Sequence, residues 1–256
     1  MNLYSSTARL EAHSHSVQKI QMRQLFTIFV ISMLSAPALA LTPYTAVYEA
    51  KGSGLSASNQ ITLLPPDASG RVELRSVSKA RGISGLLKRD PIVEYTKFEE
   101  IDGEFYPVEY HYLFNNSGSK RNAWVIFDRE NLVATSLYKT ETVELNIRPE
   151  HVDRLLEQLV FRTDIMAGTV ANKYATVERN TLREAVYEKL GSETIGTKAG
   201  TFDTVKYRRQ RIGSSRSVII WFAPELEYLP VQMRHFNEDK VTGTAILTSY
   251  AASNSD

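Results

Sequence analysis

The sequence contains no cysteine. That one absence excludes disulfide stapling, zinc–thiolate sites, iron–sulfur clusters and thiol nucleophiles. Charge of one sign is missing as well: 30 Lys and Arg stand against 29 Asp and Glu, a net charge of +1. A strongly basic nucleic-acid binder and an acidic disordered chain are both excluded. Long apolar runs are absent too. The only strongly apolar stretch, Leu25 to Leu34, spans ten residues, about half of the roughly 20 that a membrane-crossing helix needs. Histidine is scarce, five in 256 residues, and only His111, His151 and His235 follow residue 40. No His-Glu-x-x-His, Gly-x-Ser-x-Gly, phosphate-loop or dinucleotide glycine pattern occurs. The sequence therefore nominates no catalytic residue, no metal ligand and no cofactor.

The apolar stretch follows Lys19 and Arg23 and precedes Ser35-Ala36-Pro37-Ala38-Leu39-Ala40. A basic segment, a short apolar segment and an Ala-x-Ala site are the parts of a secretory signal peptide. Residues 1–40 are read as that signal, with Met22 a better start than Met1 because Glu11, His13 and His15 burden the upstream segment. The remaining chain, 41–256, carries 27 basic and 28 acidic residues. No cysteine follows the apolar segment to take a lipid anchor. A periplasmic protein with no membrane span after signal removal is the expectation.

From residue 41 onward the dominant period is two, the mark of half-buried strands. Tyr44, Ala46, Tyr48 and Ala50 alternate, as do Tyr106, Val108, Tyr110, Tyr112 and Phe114, with Glu109 and His111 on the opposite face. Further runs follow around Trp124, from Arg216 to Phe222, and from Val241 to Tyr250. Asp102-Gly103 and Ala199-Gly200 supply turns, the former a hairpin signal. One segment departs from the pattern. After Pro149, the residues Val152, Leu155, Leu156, Leu159 and Val160 recur at helical spacing, with Asp153, Arg154, Glu157 and Gln158 between them. This predicts an amphipathic helix over about 149–166. The fold expected is mainly β, an antiparallel curved sheet or a partly open barrel or sandwich with one packed helix, in a single domain.

Two features suggest binding. The stripe Tyr106, Tyr110, Tyr112 and Phe114, with Trp124 and Trp221, contains side chains suited to lining a cavity for an apolar ligand such as a lipid. The glycine-hinged segment 82–87 carries Ile83, Leu86 and Leu87 between Arg81 and Lys88, a tip suited to an envelope protein partner. The basic strand Lys206, Arg208, Arg209 and Arg211 divides its charges between two faces and makes no one-sided patch. Carboxylates such as Glu99-Glu100 and Glu238-Asp239 sit beside turns and read as solvated.

Taken in order, several segments resemble a known group. They are Tyr44-Thr45-Ala46-Val47-Tyr48, the run from Lys79 to Leu87, Gly103 to Tyr110, Gly191 to Ile195, Ala199 to Lys206, and Trp221 to Val231. The group is the secreted bacterial proteins of domain of unknown function 3108, and the resemblance spans nearly all of 43–250. It implies a β-rich periplasmic domain and supplies no activity or catalytic residues. Three readings follow: a non-enzymatic binder of an apolar ligand or envelope partner, an assembly factor acting through strand edges or the 82–87 loop, and a hydrolase whose histidines meet only in space.

Overall fold

The computed structural model describes residues 41–82, 90–116, 119–120 and 122–253. The expected signal segment, and Ile83, Leu86, Leu87 and Lys88 of the candidate partner loop, lie outside the described residues.

The strands run in chain order as β1 (Tyr44–Gly52), β2 (Leu55–Leu63), β3 (Arg71–Arg81), β4 (Ile92–Ile101), β5 (Glu104–Leu113), β6 (Asn115–Asn116), β7 (Ser119–Lys120), β8 (Ala123–Asp128), β9 (Val133–Tyr138), β10 (Glu141–Asn146) and β11 (His151–Asp153). A helix, α1 (Leu156–Ala167), follows. Then come β12 (Tyr174–Glu178), β13 (Thr181–Thr197), β14 (Gly200–Arg211), β15 (Arg216–Ala223), β16 (Leu229–Asn237) and β17 (Lys240–Ala252). Apart from the small β6–β7 ribbon, all of them form one curved, open 15-stranded sheet in the order β10-β9-β8-β5-β4-β3-β2-β1-β17-β16-β15-β14-β13-β12-β11. Every pairing is antiparallel except β11 with β12, whose connection runs through α1.

Turn chemistry sets the register. Asp102 and Gly103 both have positive φ between the paired ends Ile101 and Glu104, the two-residue turn whose twist matches a hairpin. Arg179 and Asn180 do the same between Glu178 and Thr181.

The two edge strands, β10 and β11, are neighbours in sequence but share no ladder. The ends of the sheet overlap instead. All three residues of β11 are buried, and so are the first four of β12. Side chains hold the overlap: Thr96 of β4 donates to Asp153 Oδ2 at 2.6 Å, Ser136 of β9 donates to Asn180 Oδ1 at 2.8 Å, and Asn180 Nδ2 donates to the Glu141 carbonyl at 2.9 Å.

The helix starts later than its spacing suggested. Residues 149–155 are a turn, the short strand β11 and a link; Asp153 Oδ1 accepts from the Leu155 and Leu156 amides at 2.9 and 3.0 Å. This carboxylate satisfies amides that a helix start leaves without partners. Gly168 ends the helix in the left-handed conformation at φ 73°. Strands enclose α1, so its polar side is buried as well as its apolar stripe. Leu156, Leu159 and Phe161 pack inward. Phe161 stacks on Tyr187 with ring centroids 3.5 Å apart and meets Tyr174, Tyr207 and Phe222 edge-on or tilted. Glu157, fully buried, accepts from Arg209 Nε and Nη2 at 2.7 and 2.6 Å and from Tyr187 Oη at 3.0 Å. Arg162 donates to Tyr44 Oη at 2.9 Å and to the Glu227 carbonyl.

Candidate functional site

The aromatic stripe on β5 is broken by a bulge. Lys97 pairs with Glu109 and Phe98 with Pro107, leaving Val108 as an extra residue. A bulge reverses which parity faces inward. Phe105 and Pro107 are therefore buried before it, and Tyr110 after it. Tyr106 turns outward instead, where the Arg129 guanidinium lies 3.4 Å from its ring centroid. Trp124 also faces away from the interior, since Ala123, Val125 and Phe127 are the buried residues of β8. Phe114 is half-buried just past β5, its amide donating to Asn122 Oδ1 at 3.3 Å.

Trp221 is buried, but on the face opposite α1: its neighbours Ile220 and Phe222 are the ones in the Phe161 cluster. Its Nε1 donates to Glu193 Oε2 at 2.9 Å, and Lys206 and Arg234 lie 5.8 and 5.3 Å from the ring centroid. The covering element is the long β13–β14 hairpin, whose tip reaches β1 through Lys198 Nζ and Glu49 Oε2 at 2.8 Å. Tyr106 lines a separate hollow of about 560 Å³ with Phe105 and Arg129; of the six candidate cavity residues, only Tyr110 and Tyr112 come together at one hollow. Arg81, the described end of the partner-loop candidate, is exposed at the close of β3.

That hollow is a cavity of about 110 Å³ between the overlapping ends of the sheet, lined by Tyr110, Tyr112, Ala123, Val125, Ser136 and Tyr138. Arg154, Glu178 and Arg179 form its polar wall. The same three residues also line a larger basin of about 630 Å³. Its other side is built by the turns and strand ends of β14–β17 and contributes Arg209, Arg211, Arg216 and His235.

The wall between the two hollows is an ordered polar cluster. Glu94, nearly buried on β4, accepts from Tyr110 Oη at 2.8 Å and pairs with Arg154 Nε at 3.0 Å. Burial pushes the Tyr110 hydroxyl far above its ordinary range, reinforced by the adjacent Glu94 charge. Asp153 is fully buried beside this cluster, and burial lifts its pKa to about 6 despite three hydrogen bonds to its carboxylate. Burial, with the nearby Arg154 charge, pushes the His235 pKa down.

The three histidines lie apart. His111 stacks on Tyr95 at 4.7 Å and contacts Glu109. His151, buried on β11, accepts from the Arg148 amide through Nδ1 at 3.0 Å. His235 lines the basin. A hydrolase built from converging histidines has no geometry here to rest on. Among the described residues, no group of three or more His, Asp or Glu is arranged to hold a metal ion.

A family model described as "Protein of unknown function (DUF3108)" matches residues 75–248. No curated protein sequence matches the chain. Among solved structures, a β-barrel-like protein of domain of unknown function DUF1849 from Brucella abortus aligns with a TM-score of 0.52 at 9% identity, over 84% of this chain and 99% of that one. At this identity the likeness is one of fold. A protein from Bacteroides fragilis, named as exported and with a YmcC-like fold, aligns at a TM-score of 0.33 and 8% identity, over 81% of this chain and 95% of that one. One named as a lipoprotein, from Parabacteroides distasonis, has the same TM-score at 13% identity, over 82% and 95%.

Proposed function

The chain belongs to the DUF3108 family, and for this member we propose a non-catalytic binding role in the cell envelope, in the periplasm after removal of residues 1–40. The ligand is a small molecule with an apolar end. The observation that carries this reading is the cavity under Tyr110 and Tyr112, which shares Arg154, Glu178 and Arg179 with the wider basin.

Size limits the ligand. A cavity of about 110 Å³ is smaller than the roughly 150 Å³ space that accepts a benzene ring. It suits a short alkyl group. The basin, at about 630 Å³, falls within the usual range for small-molecule sites, about 300–1,000 Å³.

The test is mass spectrometry of solvent extracts from protein purified from its native compartment. A co-purifying small amphiphile is expected. Protein that carries nothing, and that short-chain alcohols do not stabilise against heat, overturns the reading. Amino-terminal sequencing of the same material should begin at Leu41.

A further inference from the structure

The basin carries more positive charge than the fold uses. Five arginines line it: Arg154, Arg179, Arg209, Arg211 and Arg216. Three carboxylates face them. Glu157 is fully engaged by Arg209, and Glu94 pairs with Arg154. Glu178 alone serves two arginines loosely, Arg179 at 3.9 Å and Arg211 at 4.0 Å. Among the described residues Arg216 makes no ion pair, so two positive charges are left over. They lie in a concave site with hydroxyl and amide donors beside them, including Ser53, Ser217 and Asn237.

We propose that this basin binds a phosphate monoester group, with Arg211 and Arg216 as its principal partners and Arg179 beside them. A phosphate monoester carries about −1.5 to −2 charge near neutral pH, which matches the excess. Guanidinium groups present paired N–H donors in the spacing of two phosphate oxygens. The proposal rests on the binding role above only for the apolar end, which would reach past Arg154 and Arg179 to the tyrosine cavity. The two hollows together then describe one ligand: a phosphate head in the basin and a short apolar group under Tyr110.

Isothermal titration with four probes tests this at one fixed, low ionic strength: inorganic phosphate, n-butyl phosphate, n-butyrate and n-butanol. Inorganic phosphate is expected to bind. Arg211→Ala and Arg216→Ala should each weaken it about 10-fold, since one charge-assisted contact is lost in each. Arg208→Ala is the control. It removes the same charge from the outward face of β14, where Arg208 meets Glu188, and should leave binding unchanged. Thermal unfolding of each variant checks that it folds.

If butyl phosphate binds no tighter than inorganic phosphate, the phosphate site stands and the apolar reading falls. If butanol and butyrate bind as tightly as butyl phosphate, the phosphate site falls and the apolar reading stands. Equal weakening by Arg208→Ala and Arg216→Ala means diffuse attraction to a basic surface and overturns the site.

Discussion

Arg209 and Arg216 line the same basin from paired strands, yet their surroundings are opposite. Arg209 reaches inward to a fully buried Glu157, through two short hydrogen bonds. Arg216 stands exposed at the rim, and among the described residues no carboxylate pairs with it. The interior arginine is part of how α1 is held inside the sheet. The rim arginine joins the fold through its backbone in the β15–β16 ladder, and its side-chain charge faces whatever enters from outside. The comparison separates structural charge from available charge within one hollow, which a count of arginines cannot do.

Breaking the interior pair should have the largest effect. Glu157→Gln leaves Arg209 without its counter-ion and should cost about 3 kcal/mol in urea unfolding, the lower end for a broken buried pair because Arg209 also opens to the basin. A change under 0.5 kcal/mol would show that the pair contributes little and would erase the contrast with Arg216.

Asp153 comes next, through pH. Its folded pKa of about 6 lies above the roughly 3.9 of an unfolded aspartate. The folded state therefore holds this proton more tightly than the unfolded chain does. Its contribution is fully present below about pH 4 and is lost as pH rises through about 6. At neutral pH the ionised group costs up to about 3 kcal/mol. Asp153→Asn should remove that part of the pH dependence. The stability difference between variant and parent is expected to grow in the variant's favour from pH 4 to pH 7, and a constant difference would contradict it.

Tyr110→Phe deletes one donor to Glu94 while Arg154 remains, for an expected loss of about 1–2 kcal/mol. Arg216→Ala closes the series. Its stability should lie within about 0.5 kcal/mol of the parent, so a larger loss by chemical denaturation would move Arg216 into the structural group.

Much of the fold was legible because local chemistry and global architecture agree. The alternation in β1 and the Asp102-Gly103 turn both appear where their residues place them. The errors have local causes too. Pro107 has no N–H to give to a ladder, and prolines inside sheets favour bulges. That signal could have warned that the tyrosine stripe does not keep one face. Asp153, three residues before Leu156, was the better sign of the helix start than Pro149. Other features had no local signal. Glu157 and Arg209 are separated by 52 residues, and both read as surface charges. Alternation did correctly set Arg209 and Arg211 on one face of β14. It could not show that this face closes a basin with Arg216 and Arg154.

The sheet order carries a consequence for how the chain assembles. Followed from β11 to β10, it is the chain order with β17 joined to β1. All nine residues of β1 therefore find their second neighbour in the final strand. During synthesis from the amino end, β2 can pair with β1 early, but the other edge of β1 stays open until β17 has emerged. That single long-range pairing unites the two halves of the sheet, and contacts of this separation slow folding. The half-assembled protein is an open ribbon with an unpaired edge, a form prone to associate with other chains. A holding chaperone, or rapid completion of the chain, matters more here than for a barrel whose strands pair strictly in order.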